Sequence, residues 1–280
     1  MRGLPRPERK RLLYRQLHGG RVITVVEDYD SRTLAFDSHL TQSRMSLDDP
    51  NALVLRYTRR MMAGLMFLES AACGEVFRVL MIGLGGGSLA KFLLHHFAGC
   101  RMDVVENDPQ LPVLARQFFH LPNDPRLKVI VEAGGRFMER ISTGESLEYD
   151  LILLDAFDEV GMAREVYADS VFARAHGRLS AQGVLVINLI RSDATLFRHG
   201  TESIRHRFPG AVMGLAVPGF NNELLFAGPG VMNREREAEM ERRAHALEQR
   251  TGMNFSGYLR EMTRLDTPVF WKRLLGCLTS

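Results

Sequence analysis

Val76-Phe77-Arg78-Val79-Leu80-Met81-Ile82-Gly83-Leu84-Gly85-Gly86-Gly87-Ser88-Leu89-Ala90-Lys91 is an apolar, β-prone run that enters a glycine turn and leaves it in a helical pattern. Four glycines in five positions, Gly83, Gly85, Gly86 and Gly87, strip the turn of side chains. Such a turn reaches positive φ and lets a ligand come close to the backbone. About twenty residues on, Arg101-Met102-Asp103-Val104-Val105-Glu106 reads as a second strand ending in a carboxylate. A carboxylate there accepts hydrogen bonds from the two hydroxyls of a ribose. Strand, glycine turn, helix, strand and terminal acid together point to a nucleoside-bearing ligand.

Downstream the pattern alternates. Strands are expected at 77–82, 101–106, 127–131, 149–154 and 183–189, with helices at about 88–97, 110–119, 135–141, 163–176 and 194–207. That rhythm builds a mostly parallel sheet covered on both faces. The β-prone runs 211–217 and 223–227 are joined by only Pro218-Gly219-Phe220-Asn221-Asn222. This link is too short for a parallel crossover, so the last two strands are expected to be antiparallel.

Upstream, residues 1–19 read as a basic arm. Residues 20–50 read as a small β-domain, with Asp28-Tyr29-Asp30 turning between two strands. Leu53, Tyr57, Met61 and Leu65 recur at four-residue spacing, so 51–75 is expected as a linking helix. Residues 76–230 are expected to form the nucleoside-binding α/β domain and 231–280 a helical segment with a charged, solvated face.

At 280 residues, with 45% hydrophobic and 25% charged residues, the chain has an ordinary globular balance. A net charge of +3 implies no nucleic-acid partner. Cys73, Cys100 and Cys277 are too scattered for a disulfide framework, which suits a cytoplasmic location. No signal segment or 18-residue apolar run occurs, so no membrane contact is expected. His95 and His96 stand late in a helix, and no metal-ligating or nucleophile-elbow spacing occurs, so no metal site is expected.

Polar residues at the C-terminal strand ends are the candidates for chemistry, because open α/β sheets bind ligands there. Strand four ends in Asp155-Ala156-Phe157-Asp158 and strand five carries Asn188. Carboxylates at the end of a buried strand are costly without a partner or a task. Asp155 and Asp158 can hold a cationic amine or take its proton; helix capping is the structural alternative. Asp108 is expected to cap the helix that follows it. Arg191 and Arg198 give basic character near strand five.

These motifs resemble those of the spermidine synthase family, the polyamine aminopropyltransferases, from the N-terminal sheet to about residue 228. Val79 to Ser88 is similar to its glycine signature, and Val105-Glu106-Asn107-Asp108 to its ribose-binding acid motif. Asp124-Pro125-Arg126-Leu127 and Tyr149-Asp150 through Asp155 and Asp158 follow its pattern as well. The resemblance implies an α/β class I S-adenosylmethionine-dependent methyltransferase-like Rossmann fold, with a mixed sheet and terminal antiparallel hairpin behind a small N-terminal β-domain. It implies transfer of an aminopropyl group from decarboxylated S-adenosylmethionine to an amine such as putrescine, in a homodimer. By the same resemblance Asp155, Asp158 and Tyr57 are catalytic, and Gly83, Gly85, Gly86, Gly87, Glu106, Asn107, Gly134 and Asp155 bind the adenosyl co-substrate. Four positions depart from the family pattern. Gly86 replaces an aspartate at the aminopropyl end, and Ala133-Gly134-Gly135 replaces an acid near the adenine. Asn188-Leu189-Ile190-Arg191 replaces a Gln/Glu motif, and Phe220 replaces a tyrosine. These losses remove acids that would select cationic ligands. They leave open methyl transfer from intact S-adenosylmethionine, with Arg191 pairing its carboxylate, or a non-catalytic adenosyl-binding role.

Overall fold

The computed structural model describes residues 10–37, 40–141, 147–157, 162–231 and 237–265. The chain opens with an antiparallel sheet of four strands in order β1-β2-β3-β4, namely β1 (Arg11–His18), β2 (Arg21–Glu27), β3 (Ser31–Phe36) and β4 (Leu40–Ser46). The described part of the segment expected as a basic arm, from residue 10 on, is therefore largely a strand. Gly19 and Gly20, at φ 59° and 86°, supply the two positive-φ positions of a tight hairpin turn between β1 and β2.

The linking segment is also not one helix. It breaks into α1 (Arg56–Met61), a 3-10 stretch (Met62–Phe67) and α2 (Glu69–Cys73). All six residues of the 3-10 stretch are buried, pressed between the large sheet and a C-terminal helix. Tertiary packing on several sides thus overrides the one-faced pattern that the spacing suggests.

The large sheet contains β5 (Phe77–Ile82), β6 (Cys100–Glu106), β7 (Leu127–Val131), β8 (Tyr149–Leu154), β9 (Leu179–Ile190), β10 (Val212–Ala216), β11 (Asn222–Ala227) and β12 (Thr263–Arg264). Its order is β12-β10-β11-β9-β8-β5-β6-β7. Strands β5 to β9 pair in parallel, whereas β11 is antiparallel to both β9 and β10. This is the α/β Rossmann-like arrangement with a mixed sheet and terminal hairpin. The two-residue β12, unforeseen in the sequence, adds an eighth strand beside β10.

Helices α3 (Ser88–His96), α4 (Gln110–Phe119), α5 (Gly134–Ile141), α6 (Asp169–His176) and α7 (Ala194–Arg207) cover the faces. Helix α6 is shorter than the pattern suggests. The tail forms α8 (Glu237–Thr251) and α9 (Phe255–Glu261). One apolar core lies on each face of the large sheet. A third joins the small sheet to α4 through Val25, Leu34, Phe36, Leu111, Leu114 and Phe119. That third core sets the small sheet over the glycine turn. Among the described residues no helix is long and apolar enough to cross a membrane.

Candidate active site

Strand order reverses between β5 and β8, and the C-terminal ends of these strands open on a cavity of about 1020 Å³. Gly83, Leu84, Gly85 and Ser88 line one side, Glu106 and Asn107 another, and Asp155 a third. Gly83 ends β5 at φ 97°, and a Cβ there would lie 2.4 Å from the backbone oxygen of Asp155. Only glycine lets the ends of β5 and β8 close so tightly.

Glu106 is 5% exposed and braces the glycine turn. Its Oε2 accepts from the Leu84 amide at 2.8 Å and the Gly85 amide at 3.4 Å, and its Oε1 accepts from the Asp108 amide at 3.0 Å. Burial pushes its pKa up, and these three amides pull it back down. Oε1, with one amide on it, keeps acceptor capacity for a ligand hydroxyl. Asp108 caps α4 through the Gln110 amide at 2.8 Å and is paired with Arg21 of β2.

Asp155 follows β8 and is half-buried. Asn188 Nδ2 donates to its Oδ1 at 2.9 Å, and the Tyr57 hydroxyl also donates to the carboxylate. Burial raises its pKa to about 6 despite both donors. Asn222 Nδ2 donates in turn to Asn188 Oδ1 at 2.9 Å, so the chain of bonds crosses β11, β9 and β8. Burial, and next the Asp155 charge, push the Tyr57 hydroxyl well above the usual phenol range. Tyr57 therefore stays a proton donor. The buried Tyr167 hydroxyl donates to the Asn188 backbone oxygen at 3.0 Å.

The structure brings Tyr57, Gly83, Gly85, Glu106, Asn107, Gly134 and Asp155 to one cavity wall. Gly86 and Gly87 sit behind that wall. A Cβ on Gly86 would lie 2.7 Å from Ser43 Oγ, so a serine of the small sheet already fills the space where an acid's side chain would start. Asp158 lies outside the described residues. Arg191 is turned away: its guanidinium donates to the Phe220 carbonyl at 3.1 Å and lies 3.7 Å from the buried Glu223. Arg126 donates to the backbone oxygens of Leu94, Phe97 and Ala98, so Asp124-Pro125-Arg126 finishes α3 rather than serving the cavity. Sequence reasoning missed Gln42, Ser43, Arg21, Arg56 and Asn222, which also line the cavity. Asn222 carried a signal, since the first residue of β11 leaves the hairpin at the cavity end of the sheet. Gln42 and Ser43 carried none, because their place depends on how the small sheet docks. Among the described residues no cluster of His, Cys, Asp and Glu is built to hold a metal ion.

The Spermine/spermidine synthase domain family matches residues 56–212, more than half of the chain and all the strand ends just described. The chain belongs to that family. A polyamine aminopropyltransferase from Chromobacterium violaceum is 30% identical over 244 residues, covering 87% of this chain and 90% of the relative. The structure of human methyltransferase-like protein 13 in complex with SAH superposes with a TM-score of 0.63 at 26% identity, covering 78% of this chain and 99% of that one. A probable spermidine synthase from Corynebacterium glutamicum gives a TM-score of 0.70 at 21% identity, over 84% and 86% of the two chains, and shares the fold. The family member thus has the fold of adenosyl-sulfonium transferases, related to both aminopropyltransferases and methyltransferases.

Proposed function

We propose that this protein alkylates an amine with decarboxylated S-adenosylmethionine, moving an aminopropyl group to a polyamine acceptor such as putrescine. One observation carries the reading. Asp155, with its pKa raised to about 6 and held by Tyr57 and Asn188, faces the same cavity as the glycine turn and Glu106. A base of that strength takes a proton from an ammonium arriving at neutral pH in a desolvated site. The freed nitrogen lone pair attacks the carbon beside the sulfonium, the carbon–sulfur bond breaks, and its electrons neutralise the sulfur. The thioether leaves readily, so orientation and proton removal are the protein's main tasks. Glu106 and Asn107 hold the ribose, Gly83, Gly85 and Gly134 admit the nucleoside, and Gly86 and Gly87 support the turn from behind. Asp158 holds the remote end of the amine. The reading places the protein in the cytoplasm as a homodimer.

Methyl transfer from intact S-adenosylmethionine is the second reading. It is favoured by Arg21, Arg56 and Arg164 on the cavity wall and by the missing acid at Gly86, both of which suit a carboxylate better than a second cation. Calorimetric titration with the two donors, followed by mass analysis of products with putrescine, separates the two. Aminopropylated putrescine supports the first reading. Preference for the carboxylated donor with no such product overturns it.

A further inference from the structure

The opposite end of the parallel sheet carries a second cleft, of about 150 Å³, that shares no lining residue with the catalytic cavity. Its polar wall is Arg78, Arg101, Asp103, Arg126, Lys128 and Tyr149. Arg78 on β5 and Arg101 on β6 are direct partners in the parallel register, so two guanidinium side chains leave the same face of adjacent strands. Like charges set opposite each other in a sheet are destabilising. Both side chains are exposed, and neither has a hydrogen bond or ion pair among the described residues.

The neighbours sharpen the charge balance. Lys128 on β7 is in register with Asp103 on β6, an opposite-charge pair. Tyr149, 3% exposed, donates its hydroxyl to Asp103 Oδ2 at 2.9 Å, which occupies part of the one carboxylate on the cleft wall. Arg126 is matched by Asp124 at 2.7 Å. Among the described residues the Arg78 and Arg101 guanidinium groups are in no ion pair, and their strands lie about one strand spacing (~4.8 Å) apart.

We infer that this cleft binds a phosphoryl dianion, clamped between the Arg78 and Arg101 guanidinium groups with Lys128 beside them. Paired guanidinium forks match phosphate oxygens in geometry as well as in charge. The volume holds one phosphoryl group and a few waters, at roughly 30 Å³ per water. The inference does not rest on amine alkylation. It does place the anion at the far ends of β5 and β6, the strands that carry Gly83 and Glu106.

The test is calorimetric titration of the full chain with inorganic phosphate, diphosphate and ribose 5-phosphate at fixed ionic strength, with chloride and sulfate as controls. Saturable phosphate binding is expected, weakened at least tenfold in each of R78S and R101S. Both variants should melt within a few degrees of the parent, since both side chains are exposed. Tighter ribose 5-phosphate binding identifies an esterified phosphate as the ligand, and tighter phosphate or diphosphate binding a free one. Absence of saturation, equal affinity in the variants, or competition by chloride as effective as by phosphate overturns the inference.

Discussion

Asn188 on β9 donates to Asp155 Oδ1 at 2.9 Å from the adjacent strand, while its own Oδ1 accepts from Asn222 on β11. This bond, with that of Tyr57, works against the burial that raises the Asp155 pKa to about 6. Asn188→Leu should therefore move the acidic limb of the pH–rate profile upward by about one pH unit, the worth of a hydrogen bond to a charged group. Activity lost at pH 6 should return by pH 8.5. A limb that stays in place would detach Asn188 from the tuning of the base.

Asp155→Asn should lower transfer by roughly 10²- to 10⁴-fold while sparing nucleoside affinity. It should also flatten a stability slope. The folded carboxyl keeps its proton up to about pH 6, whereas the unfolded one loses it near pH 4. Between those values the folded state binds more protons, so stability falls as pH rises and levels off above about 6. Urea melts from pH 4 to 8 should show this fall in the parent and not in the variant. Unchanged turnover would remove Asp155 from proton transfer.

Glu106→Gln should weaken adenosylhomocysteine or methylthioadenosine binding at least tenfold and cost about 1–3 kcal/mol of stability. The carboxylate accepts backbone amides on both oxygens, from Leu84 and Gly85 on one side and Asp108 on the other. A glutamine must turn an N–H against one of them. Calorimetry and thermal melts read the two effects, and intact affinity would refute the ribose assignment.

The strand-and-glycine half of this site was legible in the sequence because it is local. Ile82-Gly83, Glu106 and Asp155 each end a strand whose period-two or all-apolar pattern marks where it stops. β1 was missed although Gly19-Gly20 announced its turn, because its mostly exposed side chains show no buried face. The unbroken helix over 51–75 was misjudged because burial around Met62–Phe67 comes from elements far away in the chain. The distant contacts were illegible for the same reason. No spacing reveals that Ser43 stands over Gly86, or that Arg191 faces Glu223 rather than the cavity.

Gly86→Asp, which restores the residue the family usually carries, should destabilise the protein rather than improve an aminopropyl site. Its Cβ would lie 2.7 Å from Ser43 Oγ and 2.9 Å from Ser43 Cβ, within an interior that yields little. The expected cost is about 1–3 kcal/mol. Ser43→Gly in the same chain should recover a large part of it, a non-additivity that a double-mutant cycle measures. Strict additivity would show that the turn moves away from Ser43.

Lys91 on α3 is 2% exposed, and its ammonium donates to the Pro50 backbone oxygen at 2.6 Å. Burial lowers its pKa to about 8, with Asp49 opposing the shift. The unfolded lysine titrates near 10.4, so between about pH 8 and 10.4 the unfolded chain holds a proton that the folded one has released. Stability contributed at this site should therefore rise with pH across that window and be constant below it. Lys91→Met removes the titration and leaves the Pro50 oxygen without this donor. The stability of the parent minus that of the variant should grow by about 2 kcal/mol from pH 7.5 to 10. Urea melts on both proteins at matched ionic strength measure this difference. A difference independent of pH would mean that water reaches the ammonium, and that the contact between α3 and the turn at Pro50 is looser than this bond implies.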